Sequence, residues 1–361
     1  MFLMTVTQDL LAQSVRSPEV HGDRTVTFRM VSRTAQSVKV LIAGQQINLA
    51  KDDSHIWAAT SPPLSPGIHD YTFDIDGTRV IDPSNRNVKK WLTLASMVEV
   101  PGDPPLLTEF QDVPHGVVHR LFYPSKSVGR TRPVVVYTPP QYDVDSEQRF
   151  PVLVLMHGFG DDETAWTEVG RAHLIVDNLL AEGRILPCVI AMPYGHPVPV
   201  PFGERPEDYF PSNNELYESD VIEDLLPFLE SRFRLSGRRE DRSLAGLSMG
   251  GGHAIHIGLR NTDQFSAIGA FSAATPQLTD SQLVASYPSL EGKERGVDSL
   301  KVFWIPIGDR DFLLERNEKF IEQLTVRNVS HEFLKTSGGH EWKLWREYLP
   351  RFLMKVVPAV P

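Results

Sequence analysis

The sequence predicts an all-β sandwich over residues 1–105, followed over residues 106–361 by an α/β domain with a mostly parallel sheet. Three observations carry this reading. At roughly 150 residues per domain, 361 residues make two domains or three. Up to about residue 105, short alternating segments are separated by turns and show no helical period. From about residue 115, continuous apolar runs alternate with helical stretches, the pattern of parallel strands covered on both faces.

In the first part, Thr25–Met30 alternates apolar and polar residues, followed by strand patterns at Ser37–Ile42, Ile56–Thr60 and Ile68–Ile75. The last ends in Asp76-Gly77, a two-residue hairpin signal. Short strands at this spacing suit a sandwich of roughly 100 residues. Pro101-Gly102-Asp103-Pro104-Pro105 continues neither a helix nor a central strand and reads as the linker.

In the second part, strands are expected at Val117–Tyr123, Pro133–Thr138, Pro151–Met156, Val189–Met192, Ser243–Ala245, Ala267–Phe271, Lys301–Ile307 and His331–Leu334. Helices are expected near Glu218–Phe233, Met249–Leu259 and Leu313–Leu324, and from Trp342 onward. Pro227 lies inside the first of these and predicts a kink there.

Composition narrows the function classes. Thirty-six basic against 46 acidic residues give a net charge of −10, which argues against nonspecific nucleic-acid or anionic-membrane binding. The single cysteine, Cys188, excludes an intramolecular disulfide and a cysteine-based zinc cluster, and its apolar context reads as a packed thiol. Met1–Val6 is apolar but lacks a basic flank and a clear cleavage site, so a cytoplasmic location is expected. No run approaches the length of a membrane span.

The most informative stretch is Leu244-Ala245-Gly246-Leu247-Ser248-Met249-Gly250-Gly251-Gly252. It contains G-x-S-x-G, which by composition alone arises in about one chain of this length in ten. Its setting is more specific, because it ends an apolar strand and opens a helix, as a nucleophile elbow requires. Gly246 and Gly250 remove side chains that a sharp turn would bring into collision. Ser248 is thus the candidate nucleophile.

An activated serine needs a base, and the base needs an orienting acid. His253 and His256 follow Ser248 too closely to reach back, and their H-x-x-H spacing lacks a third metal ligand nearby. His157, before Gly158-Phe159-Gly160, suits loop shaping. His340, in the glycine-rich loop Ser337–Trp342 after the last strand, is the candidate base. The acid should follow the penultimate strand, where Asp311 is preferred to Asp309, with Asp298 a distant third. Oxyanion donors are expected from the Met249 N–H and from the loop after Pro151–Met156, with Phe159 N–H preferred. Trp166 reads as core or as a pocket wall. No metal or organic cofactor is needed for this chemistry.

Together, His157–Asp162, Met192-Pro193-Tyr194-Gly195, Leu225–Phe228, Gly246–Gly251, Gly308–Asp311 and Gly338-Gly339-His340 resemble the esterase family that includes esterase D, feruloyl esterases of carbohydrate esterase family one and the enterochelin esterases. The resemblance covers about residues 115–355 and implies an α/β-hydrolase fold with Ser248, Asp311 and His340 on the triad positions. It implies a serine carboxylesterase acting on a small-molecule ester, short-acyl or aryl, with His157, Trp166 and Tyr194 bordering the pocket. Feruloyl or acetyl esters of carbohydrates, a siderophore ester, acyl transfer and glycan binding are the alternatives. The acidic balance disfavours the anionic siderophore.

The first hundred residues resemble an early-set, immunoglobulin-like module, with Ile81-Asp82-Pro83-Ser84-Asn85 similar to a segment seen in such modules. In glycan enzymes these modules sometimes bind carbohydrate through exposed aromatics, a role open to Trp57, Tyr71 and Trp91. Burial preferences favour packing for all three. Oligomeric state is not legible in the sequence.

Overall fold

The computed structural model describes residues 15–90, 92–144, 147–201, 203–204, 206–291, 296 and 299–359. The reading of Met1–Val6, Trp91 and Asp298 lies outside these residues. The chain divides into two compact units, Met1–Leu106 and Leu107–Pro361.

Among its described residues the first unit contains ten strands. One antiparallel sheet has the order β1 (Glu19–Val20), β2 (Val26–Val31), β6 (Ile56–Thr60), β5 (Ala50–Lys51). The other contains β3 (Val38–Ile42), β4 (Gln45–Asn48), β7 (Gly67–Ile75), β8 (Thr78–Val80), β9 (Val88–Lys89) and β10 (Ala95–Val100), ordered β4-β3-β7-β10-β9 with β8 on β7. Alternation places Val38, Val40 and Ile42 inward, where they join Phe28, Phe73 and Val98 in a shared core. Asp76 and Gly77 both take positive φ and close the β7–β8 hairpin between Ile75 and Thr78.

Two of the aromatics considered for glycan binding are corrected by burial. Trp57 is 7% and Tyr71 1% exposed, so neither ring offers a face to a ligand. The Trp57 Nε1–H donates to Ser32 O at 3.0 Å, and the Tyr71 hydroxyl donates to Asp82 at 2.8 Å. Asp82, fully buried, also accepts from Ser17 Oγ at 2.6 Å, while Asn85 donates to Met97 O at 2.8 Å. The Asp82–Asn85 segment is therefore an internal polar latch of the first unit.

The second unit holds one eight-stranded sheet: β11 (Val117–Ser125), β12 (Arg130–Thr138), β13 (Val152–Met156), β14 (Val189–Pro193), β15 (Arg242–Leu247), β16 (Ala267–Phe271), β17 (Val302–Gly308) and β18 (Glu332–Thr336). Their order is β11-β12-β14-β13-β15-β16-β17-β18, antiparallel at β11, β12 and β14 and parallel from β14 onward. The chain steps from β13 out to β14 and returns on the other side of β13 as β15. Such a reversal opens a crevice at the carboxyl ends of the strands.

Helices α1 (Ala165–Glu168), α2 (Ala172–Ala181), α3 (Tyr209–Ser219), α4 (Leu226–Arg232), α5 (Met249–Arg260), α6 (Asp280–Ser286), α7 (Leu314–Val326) and α8 (Trp342–Val356) complete the unit. Val152, Val154 and Met156 of β13 pack with Tyr217, Leu229, Ala254 and Ile255 on one face. On the other face, Phe352 of α8 stacks on Trp304 and meets Phe271 edge-on. Cys188 is buried beside β14, which pushes its thiol up to about 12. No helix among the described residues is long and apolar enough to cross a membrane.

The helix expected at Glu218–Phe233 begins earlier, at Tyr209, and a π-helical stretch, Asp220–Leu225, joins α3 to α4 just before Pro227. Proline lacks an N–H and crowds the carbonyl four residues back, and the widened turn lies just where the sequence places the irregularity. The same turn directs Asp220 inward onto Arg132, at 2.8 Å, with both side chains almost fully buried. Tyr123 supplies a further hydrogen bond to Asp220 at 2.7 Å.

Candidate active site

Ser248 stands between β15 and α5 with φ 54° and ψ −115°, a conformation costly for any residue with a side chain. The surrounding backbone holds it there. Ser248 N–H donates to Phe271 O at 2.9 Å, and Ser248 O accepts from Gly252 and Ala274 N–H at 3.0 and 2.8 Å. A Cβ on Gly246 would lie 2.5 Å from the Gly250 backbone, and one on Gly250 would lie 2.5 Å from the carbonyl oxygens of Met156 and His157. Both glycines are therefore set by close backbone approach.

Met249 occupies the first position of α5, where its N–H has no acceptor within the helix and the helix dipole favours negative charge. Across the crevice, the loop after β13 brings Gly158 next to the serine: a Cβ there would lie 3.5 Å from Ser248 Cβ. Phe159 follows, its ring edge-on to His196, Tyr209 and Phe210.

His340 and Asp311 come together from the loops after β18 and β17. His340 Nδ1 lies 3.0 and 2.9 Å from the two carboxylate oxygens of Asp311, whose Oδ1 also accepts from Leu313 N–H at 2.9 Å. Asp309 does different work. Its Oδ1 accepts the Gly338 N–H at 3.0 Å and ties down the loop that carries His340. With Nδ1 directed at Asp311, Nε2 is the nitrogen available for proton transfer. No hydrogen bond joins Ser248 Oγ to His340 among the described residues. Phe312, 75% exposed, lies with its ring centre 4.5 Å from that of His340, and Trp345 flanks the imidazole at 5.0 Å.

Of the three residues expected to border the pocket, two are placed elsewhere. Trp166 is 1% exposed, donates its Nε1–H to Met156 O at 3.0 Å and packs on Trp342 and Phe271. It belongs to the core, because a large aromatic whose N–H finds a backbone acceptor is best stabilised by full burial. His157 is equally buried and both ring nitrogens are engaged, Nε2 by Gly195 N–H at 2.8 Å and Nδ1 by Gly158 O at 2.8 Å. Burial lowers its pKa to about 4, so it is a neutral loop tie. Tyr194 is half-buried beside His157 and His196, and its carbonyl accepts from Arg132.

His253 and His256 do not share a ligand. His253 Nε2 accepts from Asn213 at 3.1 Å, and burial holds its pKa well below the usual value. His256 lies 3.2 Å from Glu218, with Glu215 close enough that the three donor atoms could face one ion. Arg260 already brings a positive charge there, 2.7 Å from Glu218, and Asn261 occupies the other Glu218 oxygen at 2.7 Å.

His196 and Asn213 carry no sequence expectation, yet both border this loop system. Asn213 donates to Gly195 O at 3.1 Å. The available signal was position: Tyr194-Gly195-His196 follows β14 at the carboxyl end of the sheet, one strand from the loop bearing His157.

Comparison with known proteins gives the chain a family. Residues 125–356 match the family model described as "Putative esterase". The chain is 30% identical over 344 residues to an endo-1,4-beta-xylanase/feruloyl esterase of Xylanibacter ruminicola, across 92% of this chain and 45% of that protein. It therefore spans less than half the length of that relative. An acetyl esterase of Caldicellulosiruptor saccharolyticus is 26% identical over 239 residues, 58% of this chain and 84% of that one. Among solved structures, a ferulic acid esterase superposes with TM-score 0.58 at 28% identity, over 67% of this chain and 98% of the other. The enterobactin esterase of Shigella flexneri superposes with TM-score 0.65 at 19% identity, over 92% and 93%, a likeness of fold. On the family match, which takes in β12 through α8 and every element around Ser248, the chain belongs to the esterase family of α/β-hydrolases.

Proposed function

We propose that the protein is a serine carboxylesterase in which Ser248 forms an acyl-enzyme. The observation that carries this reading is Ser248 itself: a non-glycine residue at positive φ, at the sheet's reversal point and the start of a helix. His340 Nε2 takes the Ser248 hydroxyl proton as Oγ attacks the ester carbonyl. Asp311 holds the imidazole tautomer and stabilises the imidazolium. Met249 and Phe159 N–H groups stabilise the tetrahedral oxyanion. His340 returns the proton to the departing alcohol, then activates water to release the acid. The serine–histidine hydrogen bond closes in the substrate complex, as is common for catalytic contacts that are long in free enzymes.

The substrate class follows from two supports. A relative similar over 92% of the chain carries feruloyl esterase in its name, and another is an acetyl esterase. Phe312 and Tyr194 supply aromatic surface near His340 and the oxyanion loop. Small aryl and short-acyl esters are the substrates of this reading, with feruloyl and acetyl esters of carbohydrates as the second. The test is turnover of p-nitrophenyl acetate and butyrate, methyl ferulate and an acetylated xylooligosaccharide by wild type and Ser248→Ala. Hydrolysis by wild type, reduced on the order of 10⁴–10⁶-fold in the variant, supports it. Hydrolysis that survives the substitution in folded protein overturns it.

A further inference from the structure

Two neighbouring loops at the carboxyl end of the sheet lend each other a histidine. His157, directly after β13, accepts the Gly195 N–H of the β14 loop at Nε2, 2.8 Å away. His196, after β14, accepts the Gly160 N–H of the β13 loop at Nε2, 3.3 Å away, and its Nδ1 lies 2.9 Å from the Tyr209 hydroxyl of α3. Both rings are at most 1% exposed. A ring nitrogen that accepts from a backbone amide carries no proton, so each histidine is the neutral Nδ1–H tautomer. Burial agrees, lowering His196 to about 3.

The consequence falls on Phe159. The peptide joining Gly158 to Phe159 has its carbonyl oxygen held by His157 Nδ1 at 2.8 Å, and a planar trans peptide points its N–H the opposite way. The peptide joining Phe159 to Gly160 has its N–H held by His196. Both peptide planes flanking Phe159 are thus pinned, one by each histidine. Losing the second anchor releases the Phe159–Gly160 peptide and leaves the plane that carries the Phe159 N–H held by His157 alone, in a loop whose next residue, Gly160, has φ +83°.

We propose that His196 is a positioning residue for ester hydrolysis, holding the β13 loop so that the Phe159 N–H faces the developing oxyanion. It rests on reading Ser248 as nucleophile and Phe159 N–H as oxyanion donor. The side chain acts as a hydrogen-bond acceptor, not as an acid or base, and it couples α3 to the oxyanion loop through Tyr209.

Two amide variants separate acceptor geometry from mere presence of a polar group. His196→Gln can place an oxygen where Nε2 accepts, whereas His196→Asn reaches only to the Nδ1 position. Losing an oxyanion donor outright costs roughly 10²–10³ in kcat, so misaligning it in His196→Asn should cost about 10-fold or more with KM within about 2-fold, while His196→Gln stays within about 3-fold of wild type. Affinity for an aryl trifluoromethyl ketone, whose serine adduct bears the oxyanion, should weaken in His196→Asn by the factor lost in kcat/KM. Equal kcat in both variants, or a loss confined to KM, overturns the proposal. Should neither variant fold, Tyr209→Phe removes the ring's other anchor: several-fold lower kcat at unchanged KM supports it, and unchanged kcat overturns it. Activity that persists in Ser248→Ala would instead overturn the underlying esterase reading.

Discussion

Asp311 and His340 meet through both carboxylate oxygens, at 3.0 and 2.9 Å from Nδ1, while Asp309, two residues earlier, accepts the Gly338 N–H of the loop bearing His340 and lies 3.8 Å from the Arg310 guanidinium. The two aspartates are thereby assigned opposite weights. Asp311→Asn removes the charge that stabilises the imidazolium and permits the wrong tautomer, so kcat should fall on the order of 10⁴-fold with little change in KM. Asp309→Asn retains an oxygen for Gly338 N–H and should cost about 10-fold at most. Steady-state kinetics on one p-nitrophenyl ester check both. Similar losses in the two variants would contradict the assignment.

The elbow glycines should tolerate no side chain. Ala at Gly250 would place Cβ 2.5 Å from two backbone carbonyl oxygens, neither of which can rotate away. A shift of β13 or α5 is the only relief, and overpacking of this kind costs about 1–3 kcal/mol or more. Urea unfolding of Gly250→Ala should show that loss, together with loss of activity. Gly183→Ala is the control: its added Cβ meets nothing within 4 Å, and only its φ of +65° opposes the change.

Phe312 should matter to the substrate more than to the fold. It is 75% exposed, so truncation removes little packing, yet its ring adjoins the imidazole of His340, the proposed proton donor to the leaving alcohol. Phe312→Ala should leave the unfolding midpoint within about 1 °C and raise KM several-fold for aryl esters, with a smaller effect on ethyl acetate. Equal effects on both substrates would indicate that the ring only shields His340 from water.

Stability should fall on acidification because His157 is buried neutral. Its folded pKa is about 4, below the usual 6.5, so below pH 6.5 the unfolded chain binds more protons than the native one. The associated stability is complete above about pH 6.5 and is lost progressively as pH falls toward 4. Between pH 7 and pH 5 this one group accounts for about 2 kcal/mol. His196, lowered to about 3, acts in the same direction. His115 acts oppositely, since its hydrogen bond to Asp177 raises its pKa and favours the folded state until pH climbs through that value. Urea midpoints at pH 5 and 7 should show a smaller difference in His157→Gln than in wild type.

Much of the site could be read from local chemistry. The turn at Asp76-Gly77 and the strand–turn–helix around Ser248 are encoded by residues adjacent in sequence, where glycine or a β-turn pair leaves few alternatives. The His340–Asp311 pair spans 29 residues but follows from chain order, since each residue sits in a loop directly after a strand. What escaped depends on distant partners. His196 acquires its role from Gly160, 36 residues away, and Trp166 is core because Trp342 and Phe271 cover it. Helix α2 hides its period because Asp177 and Asn178 are themselves buried, fastening His115, Leu107 and Glu109. Helix α3 reads poorly because Pro211, Asn213 and Asn214 break its apolar pattern, yet proline is tolerated in a first turn.

The central claim is that Ser248 is the nucleophile, and covalent labelling tests it most directly. Wild-type enzyme treated with a fluorophosphonate and digested for mass spectrometry should carry one adduct per chain, on the peptide containing Ser248, with activity lost in proportion to labelling. Ser248→Ala should take up no label. An adduct on another residue, or full hydrolysis by a completely labelled enzyme, would contradict the account.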